Sequence, residues 1–204
     1  MSYRVAVLVS GSGSNLQALI DDAPGGGYEI ALVLSDRADA YGLQRALRHG
    51  IACAHLPLRR HDRMAWEQRL TQVCAAFAPD LVVLAGFMRV LSAEFLQAFP
   101  GRVINQHPAL LPADGGDMVT TRTGHTIPAL RGAHVVADAL RLGLPVSGCT
   151  VHRVTLVVDD GPLLASAEVV VLPGDDVASL HERIKTEERR LIVEVVRRLA
   201  REAR

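Results

Sequence analysis

The sequence has little sulfur. Cys53, Cys74 and Cys149 are its three cysteines, scattered through 204 residues with no C-x-x-C spacing. That excludes a disulfide framework and offers no zinc site, and it fits buried structural thiols in a reducing compartment. Net charge is also missing, since 22 basic side chains balance 22 acidic ones. No global basic field therefore exists to hold nucleic acid or an anionic membrane, although local anion sites stay open. No apolar run reaches membrane-spanning length. The N-terminus enters a buried-strand pattern by Val5 with no basic leader or cleavage site ahead of it, so a soluble, cytoplasmic protein is expected. Lysine is nearly absent as well. Lys185 is the single one, which makes that position stand out.

The chain is rich in apolar residues. They make up 49% of it, against 22% charged, which is globular composition and enough to bury a core. Val5–Val9, Ile30–Leu34 and Leu81–Ala85 are continuous apolar runs, the pattern of strands buried on both faces. A short strand is expected near 52–55, and others at 103–104, 147–154 and 166–172. Helix-period segments separate them: one after Asn15 through Leu16, Leu19 and Ile20, then 41–49, 63–77, 93–99 and 133–141. A last helix runs from about Asp176 to near the C-terminus, capped by Asp175 or Asp176. Strands alternating with helices mean βαβ units: an α/β protein with one domain over 1–204, a mainly parallel central sheet and helices on both faces.

The stretch Gly101–Pro112, GRVINQHPALLP, begins as a strand and must break at His107-Pro108, because proline cannot continue a central ladder. Asn105 and His107 stand two apart, so extended backbone puts both on one face. They are either a polar strand end facing water or an amide and an imidazole placed to polarise a carbonyl and handle a proton.

Other features bear on that choice. Ser10–Asn15, SGSGSN, joins a strand to a helix through two glycines, and converging N–H groups at a helix start suit a phosphate; a plain tight turn is the alternative. It is a poor dinucleotide fingerprint, because Leu16 occupies the place of the third glycine. Asp36 therefore only superficially mimics a ribose-binding acid. In Val158–Pro162, Asp159 sits in Asp-x-Gly-Pro turn chemistry, and a carboxylate brought beside His107 would raise that histidine's pKa. On the last helix Val177, Leu180, Ile184, Leu191 and Val195 form an apolar stripe, and Glu188 falls on it. A carboxylate there needs a partner, either an arginine or a ligand group, with Lys185 nearby. Residues 114–129, DGGDMVTTRTGHTIPA, lack periodicity and read as a long, mobile loop.

Taken together, SGSGSNLQALI, DLVVLAGFMRVLS, RVINQHPALLP, SGCTVHRVTLVVDDGPLLAS and LHERIKTEERRLI resemble the folate-dependent glycinamide ribonucleotide formyltransferases over nearly the whole chain. The resemblance implies the formyltransferase fold, with a Rossmann-like nucleotide-phosphate half over 1–100 and a catalytic and folate-binding half over 101–204. It implies formyl transfer from 10-formyltetrahydrofolate to the amine of glycinamide ribonucleotide in purine synthesis, two small-molecule partners, and no metal, nucleic acid or membrane. Asn105 then matches the oxyanion-stabilising asparagine and His107 the proton donor. Asp159 matches the aspartate that raises the histidine's pKa and orders a water. Gly13, Ser14 and Asn15 match the phosphate loop, which Lys185 could reinforce, and Glu188 matches a nucleotide-binding carboxylate. Arg63, Met88, Arg89, Val90 and Leu91, with Asn105 and Thr155, Leu156, Val157, Val158 and Asp159, match the folate side. His134 and His152 match histidines near the site, His152 being read as structural.

The chain departs from the family pattern twice. Residues 114–129 are inserted after LLP, with LRGAH at 130–134 replacing an aromatic-Pro-Gly-x-His segment, and Asp160 stands where glycine or a small polar residue is usual. The alternatives are a formyltetrahydrofolate deformylase-like hydrolase and a folate- or nucleotide-binding protein without catalysis.

Overall fold

A computed structural model describes residues 2–58 and 62–203; His61, to which the sequence assigns no role, lies outside them. Residues 1–105 with 196–204 form one compact unit and residues 106–195 a second. The central sheet has seven strands in the order β3-β2-β1-β4-β5-β8-β9.

The first unit contains β1 (Tyr3–Val9), α1 (Ser14–Gly26), β2 (Tyr28–Ser35), α2 (Tyr41–Arg48), β3 (Cys53–His55), α3 (Arg63–Ala76), β4 (Leu81–Leu84) and α4 (Ala93–Ala98). The strand β5 (Val103–His107) runs out of it. Strands β1, β2, β3, β4 and β5 pair in parallel, as continuous apolar runs separated by helices require. Val5 to Val9 are completely buried, each valine and leucine side chain among them contributing about 1.5–3 kcal/mol of apolar burial. β1 lies between β2 and β4, so the chain turns to opposite sides of it, and the loops leaving these strands emerge at their carboxyl ends.

The second unit contains β6 (Met118–Thr120), β7 (Thr126–Pro128), α5 (Val135–Arg141), β8 (Val146–Arg153) and β9 (Leu163–Val170), with most of α6 (Val177–Glu202). β8 and β9 are antiparallel, so the sheet is mainly but not wholly parallel. Gly148 permits their close approach, because a Cβ there would sit 2.1 Å from the Ala167 carbonyl oxygen. At the start of α6 the Asp176 carboxylate accepts the Ser179 N–H at 2.7 Å while the Ser179 hydroxyl accepts the Asp176 N–H at 3.0 Å, a reciprocal cap.

Two expectations change. Residues 114–129 are not a featureless loop: β6 and β7 pair as an antiparallel hairpin. Ile127 on it packs with Leu110 and Val146, with Val119 and Leu144 against them, and the Arg122 N–H donates to Glu168 at 2.7 Å. Only Val119 and Ile127 are apolar anchors on these two three-residue strands, which is too short a run for periodicity to register. Val177, assigned to the apolar stripe of α6, is 46% exposed, whereas Leu180, Ile184, Glu188, Leu191 and Val195 are buried on it.

Candidate active site

Strand β5 ends at His107, where Pro108 stops it, and carries Asn105 two residues earlier. His107 is buried, and both ring nitrogens are engaged. Nε2 lies 2.8 Å from the Leu130 carbonyl, which only accepts, so Nε2 carries a proton. Nδ1 lies 3.4 Å from the Asp159 carboxylate. A carbonyl on one side and a carboxylate on the other favour the imidazolium, yet burial outweighs them and holds His107 below its ordinary pKa. The upward shift expected from Asp159 is thus present as a contribution but does not win.

Asp159 is buried, with φ 54°, a left-handed conformation that a non-glycine residue adopts only when its surroundings impose it. Close behind it Gly161 is obligatory in a different way: a Cβ would fall 1.8 Å from the Arg153 carbonyl oxygen. That close return of the chain to the end of β8 is the structural basis of the Asp-x-Gly-Pro turn. The carboxylate also accepts the Gly132 N–H at 3.0 Å and lies 3.6 Å from Nε2 of His152. Burial pushes its pKa up, but His152, His107 and the Gly132 N–H together hold it below the usual carboxylate range.

His152 therefore belongs to the cluster rather than only to the core. It is buried, and its Nδ1 donates to the Arg153 carbonyl at 2.9 Å, which leaves Nε2 toward Asp159. Flanked by Val151 and followed by Arg153-Val154, it reads in sequence as an interior strand residue, and only the turn that returns Asp159 beside it reveals the pairing. The segment after β7 touches the same groups, since Leu130 holds His107 and Gly132 holds Asp159. Arg131 between them donates to the carbonyls of Gly115 and Gly116 and lies 3.8 Å from Asp160. On the same unit, the loop 155–158 exposes Leu156, Val157 and Val158.

On α6, Glu188 is buried as its position on the stripe requires. Nearby Cys149 has its thiol pushed up to about 12, first by burial and then by the charges of Glu188 and Glu187. The Lys185 ammonium is held at 2.7 Å by Glu182, one turn back on the same helix.

In the first unit the glycine loop has the expected form. Gly13 is left-handed (φ 67°) at the N-terminus of α1, and a Cβ there would meet the Gly42 backbone at 2.7 Å. α2 braces this loop: the Gly42 N–H donates to the Gly11 carbonyl at 3.1 Å, and the Arg45 guanidinium to the Ser12 carbonyl at 2.9 Å. Ser14 and Asn15 open the helix, where N–H groups lack intrahelical acceptors.

The loop between β4 and α4 carries Met88, Arg89, Val90 and Leu91. Met88 and Val90 are exposed and Leu91 is buried. The Arg63 guanidinium donates to the Val90 carbonyl, and the Glu67 carboxylate accepts the Ser92 N–H. Arg89 binds the Asp36 carboxylate at 2.6 Å, so its guanidinium is committed within the protein. The sequence offers Asp36 only as a superficial mimic of a ribose-binding acid and Ser10 only as the start of the glycine loop; their pairing is not read there, although a signal for it existed. Val9 pairs with Ser35 across the β1–β2 ladder, so the next residue on each strand emerges beside the other.

Among the described residues no helix is long and apolar enough to cross a membrane. None of their His, Cys, Asp and Glu side chains gathers in a group of three or more that could hold a metal ion.

Comparison with known proteins follows the same outline. The formyl transferase family matches residues 3–196. Over 198 residues the chain is 42% identical to a phosphoribosylglycinamide formyltransferase of Mycobacterium tuberculosis, spanning 97% of this chain and 85% of that protein. It is 38% identical over 188 residues to the protein of the same name from Escherichia coli K12, spanning 91% and 81%. The crystal structure of glycinamide ribonucleotide transformylase 1 from Symbiobacterium toebii matches with a TM-score of 0.87 at 42% identity, covering 98% of this chain and 89% of that one. The chain belongs to the formyl transferase family, in its phosphoribosylglycinamide formyltransferase branch.

Proposed function

We propose that the two units act as one formyltransferase domain, which moves a formyl group from 10-formyltetrahydrofolate to the amine of glycinamide ribonucleotide. The observation that carries the reading is the buried His107–Asp159 pair at the carboxyl end of β5. When bound, the folate supplies a formyl carbon that the amine attacks, and negative charge develops on the formyl oxygen as the new C–N bond forms.

Asn105 and His107 are assigned to that oxygen. An amide N–H and the proton on Nε2 both donate, and donors that strengthen as charge builds lower the barrier selectively. Nε2 must first leave the Leu130 carbonyl. Asp159 then tips the balance on the ring: shortening its 3.4 Å separation from Nδ1 would stabilise imidazolium against the burial that now opposes it. The proton taken from the attacking amine passes toward Asp159 through a water, and His107 returns a proton to the folate nitrogen as its bond to the formyl carbon breaks. Each step moves one proton, with no covalent enzyme intermediate.

Gly13, Ser14 and Asn15 hold the nucleotide phosphate, where loop N–H groups and the α1 N-terminus favour an anion. Glu188 takes a sugar hydroxyl. Lys185, engaged by Glu182, contributes a flexible charge rather than a fixed contact. Two surfaces are assigned to the folate, each within its own unit: in the first the loop 88–91 exposes Met88 and Val90, and in the second the loop 155–159 exposes Leu156, Val157 and Val158, apolar side chains of the kind a flat heterocycle covers. Arg63 supports the first of them through the Val90 carbonyl.

The deciding experiment measures formyl release from 10-formyltetrahydrofolate with and without glycinamide ribonucleotide. Amine-dependent transfer is expected. Release independent of the amine would make the chain a hydrolase, and tight binding of both ligands without turnover would make it a binding protein.

A further inference from the structure

Asp36 has no part in the reaction just derived, yet it is one of the most firmly held carboxylates in the first unit. Its side chain is 0% exposed. One oxygen accepts the Ser10 hydroxyl at 2.6 Å, and the other accepts Nε of Arg89 at 2.6 Å. The Ser10 hydroxyl oxygen in turn accepts the Met88 N–H at 2.9 Å, and the Ser10 N–H donates to the Gly86 carbonyl at 3.1 Å. Ser10 is the first residue of the glycine loop, and Met88 and Arg89 are the middle of the loop after β4. One buried carboxylate thus joins two loops from different strands, 78 residues apart in the chain at Ser10 and Met88.

The two arms differ in kind. Toward Ser10, Asp36 needs only to be an acceptor, so a neutral carbonyl oxygen could replace it. Toward Arg89 it is a charge-assisted acceptor, the stronger sort of bond. The Arg89 side chain is 38% exposed, so water can solvate it once the carboxylate is gone, and it is then free to leave.

We propose that Asp36 is a positioning residue for both substrates: through Ser10 it sets the phosphate loop, and through Arg89 and Met88 it sets the loop that receives the folate. This rests on the assignment of the two loops made above. It predicts an asymmetry that a residue serving only the fold would not produce.

The test uses the full chain, with Asp36→Asn and Asp36→Ala compared with wild type. Ribose 5-phosphate and 5-formyltetrahydrofolate serve as unreactive probes for Kd, beside KM for each substrate, kcat and the melting temperature. Asp36→Asn keeps an acceptor for Ser10 but loses the charge facing Arg89. It should weaken the folate probe about tenfold, the loss expected for one charge-assisted hydrogen bond. Ribose 5-phosphate should change less than about twofold, within the spread of surface effects. Asp36→Ala should weaken both probes about tenfold or more, since both arms are cut. Should Asp36→Ala not fold, Ser10→Ala replaces it and must weaken ribose 5-phosphate more than Asp36→Asn does. Equal weakening of both probes in Asp36→Asn, or a fall in kcat with both KM values unchanged, overturns the proposal. If wild type binds both probes but transfers nothing, the activity is refuted while the Kd ratios still decide the role of Asp36. Wild type that binds neither probe refutes the loop assignment and this inference together.

Discussion

Asp36 and Asp159 are both buried aspartates, one in each unit, and the protein treats them oppositely. Asp36 is clamped by two contacts of 2.6 Å, one from a hydroxyl and one from a guanidinium that never gives up its proton. The contacts of Asp159 with Gly132, His107 and His152 are looser, at 3.0, 3.4 and 3.6 Å, and two of these groups are histidines. A carboxylate held by permanent donors at short range is fixed in place. One held by titratable rings at longer range can exchange protons with them and still be shielded from bulk water. Burial alone therefore does not mark a catalytic carboxylate. The partners and their distances do.

The sharpest way to break this contrast is to remove the ring that Asp159 faces. His107→Ala should lower kcat by about 10²–10⁴, the range for losing a general acid. A variant that kept most of its turnover would place the proton transfer elsewhere. Asn105→Ala should cost about 10²–10³ in kcat, as loss of one oxyanion donor does. An effect on KM alone would show that Asn105 binds substrate and does not act on developing charge.

Asp159→Asn tests the electrostatic half of the comparison. Removing the carboxylate removes a contribution that raises the His107 pKa, so the group falls still further below its ordinary 6.5. The limb of the pH–kcat/KM profile assigned to protonated His107 should move to lower pH, and an unmoved limb would sever the pair. Stability has its own sign. His107 is depressed, so its contribution is present above 6.5 and is lost as pH falls through the lower folded value. Asp159, depressed from 3.8, keeps its contribution until pH falls below that range. Melting followed down the pH scale should show the two losses in that order, and only the second should vanish in Asp159→Asn.

The matching change at the clamped residue should be felt in stability first. Asp36→Asn loses one charge-assisted bond, about 1.5–3 kcal/mol, and should lower the melting temperature by several degrees with kcat little altered. A melting temperature like that of wild type would mean that the clamp is not structural. Shortening the hairpin 114–129 should have the smallest effect, raising KM for the nucleotide more than KM for the folate. An unchanged KM for the nucleotide would reduce the hairpin to a surface feature.

Much of this was legible in the chain itself. The apolar runs at Val5–Val9 and Leu81–Leu84 are short, continuous and rich in β-branched and aliphatic side chains, the pattern of strands in a doubly covered parallel sheet. Pro108 fixed the end of β5 and hence the place of His107. Glu188 announced itself as a carboxylate on an apolar face, and it is buried there. Periodicity and backbone chemistry act within a few residues, so a sequence displays them directly.

What tertiary structure decided is of another kind. That Asp159 lies between His107 and His152, that Leu130 and Gly132 hold the same pair, and that Asp36 reaches Ser10 and Arg89 depend on the register of strands and the return of turns. Even the direction of the His107 shift was out of reach, because it is a contest between a neighbouring charge, visible as a residue type, and burial, which only the folded chain supplies.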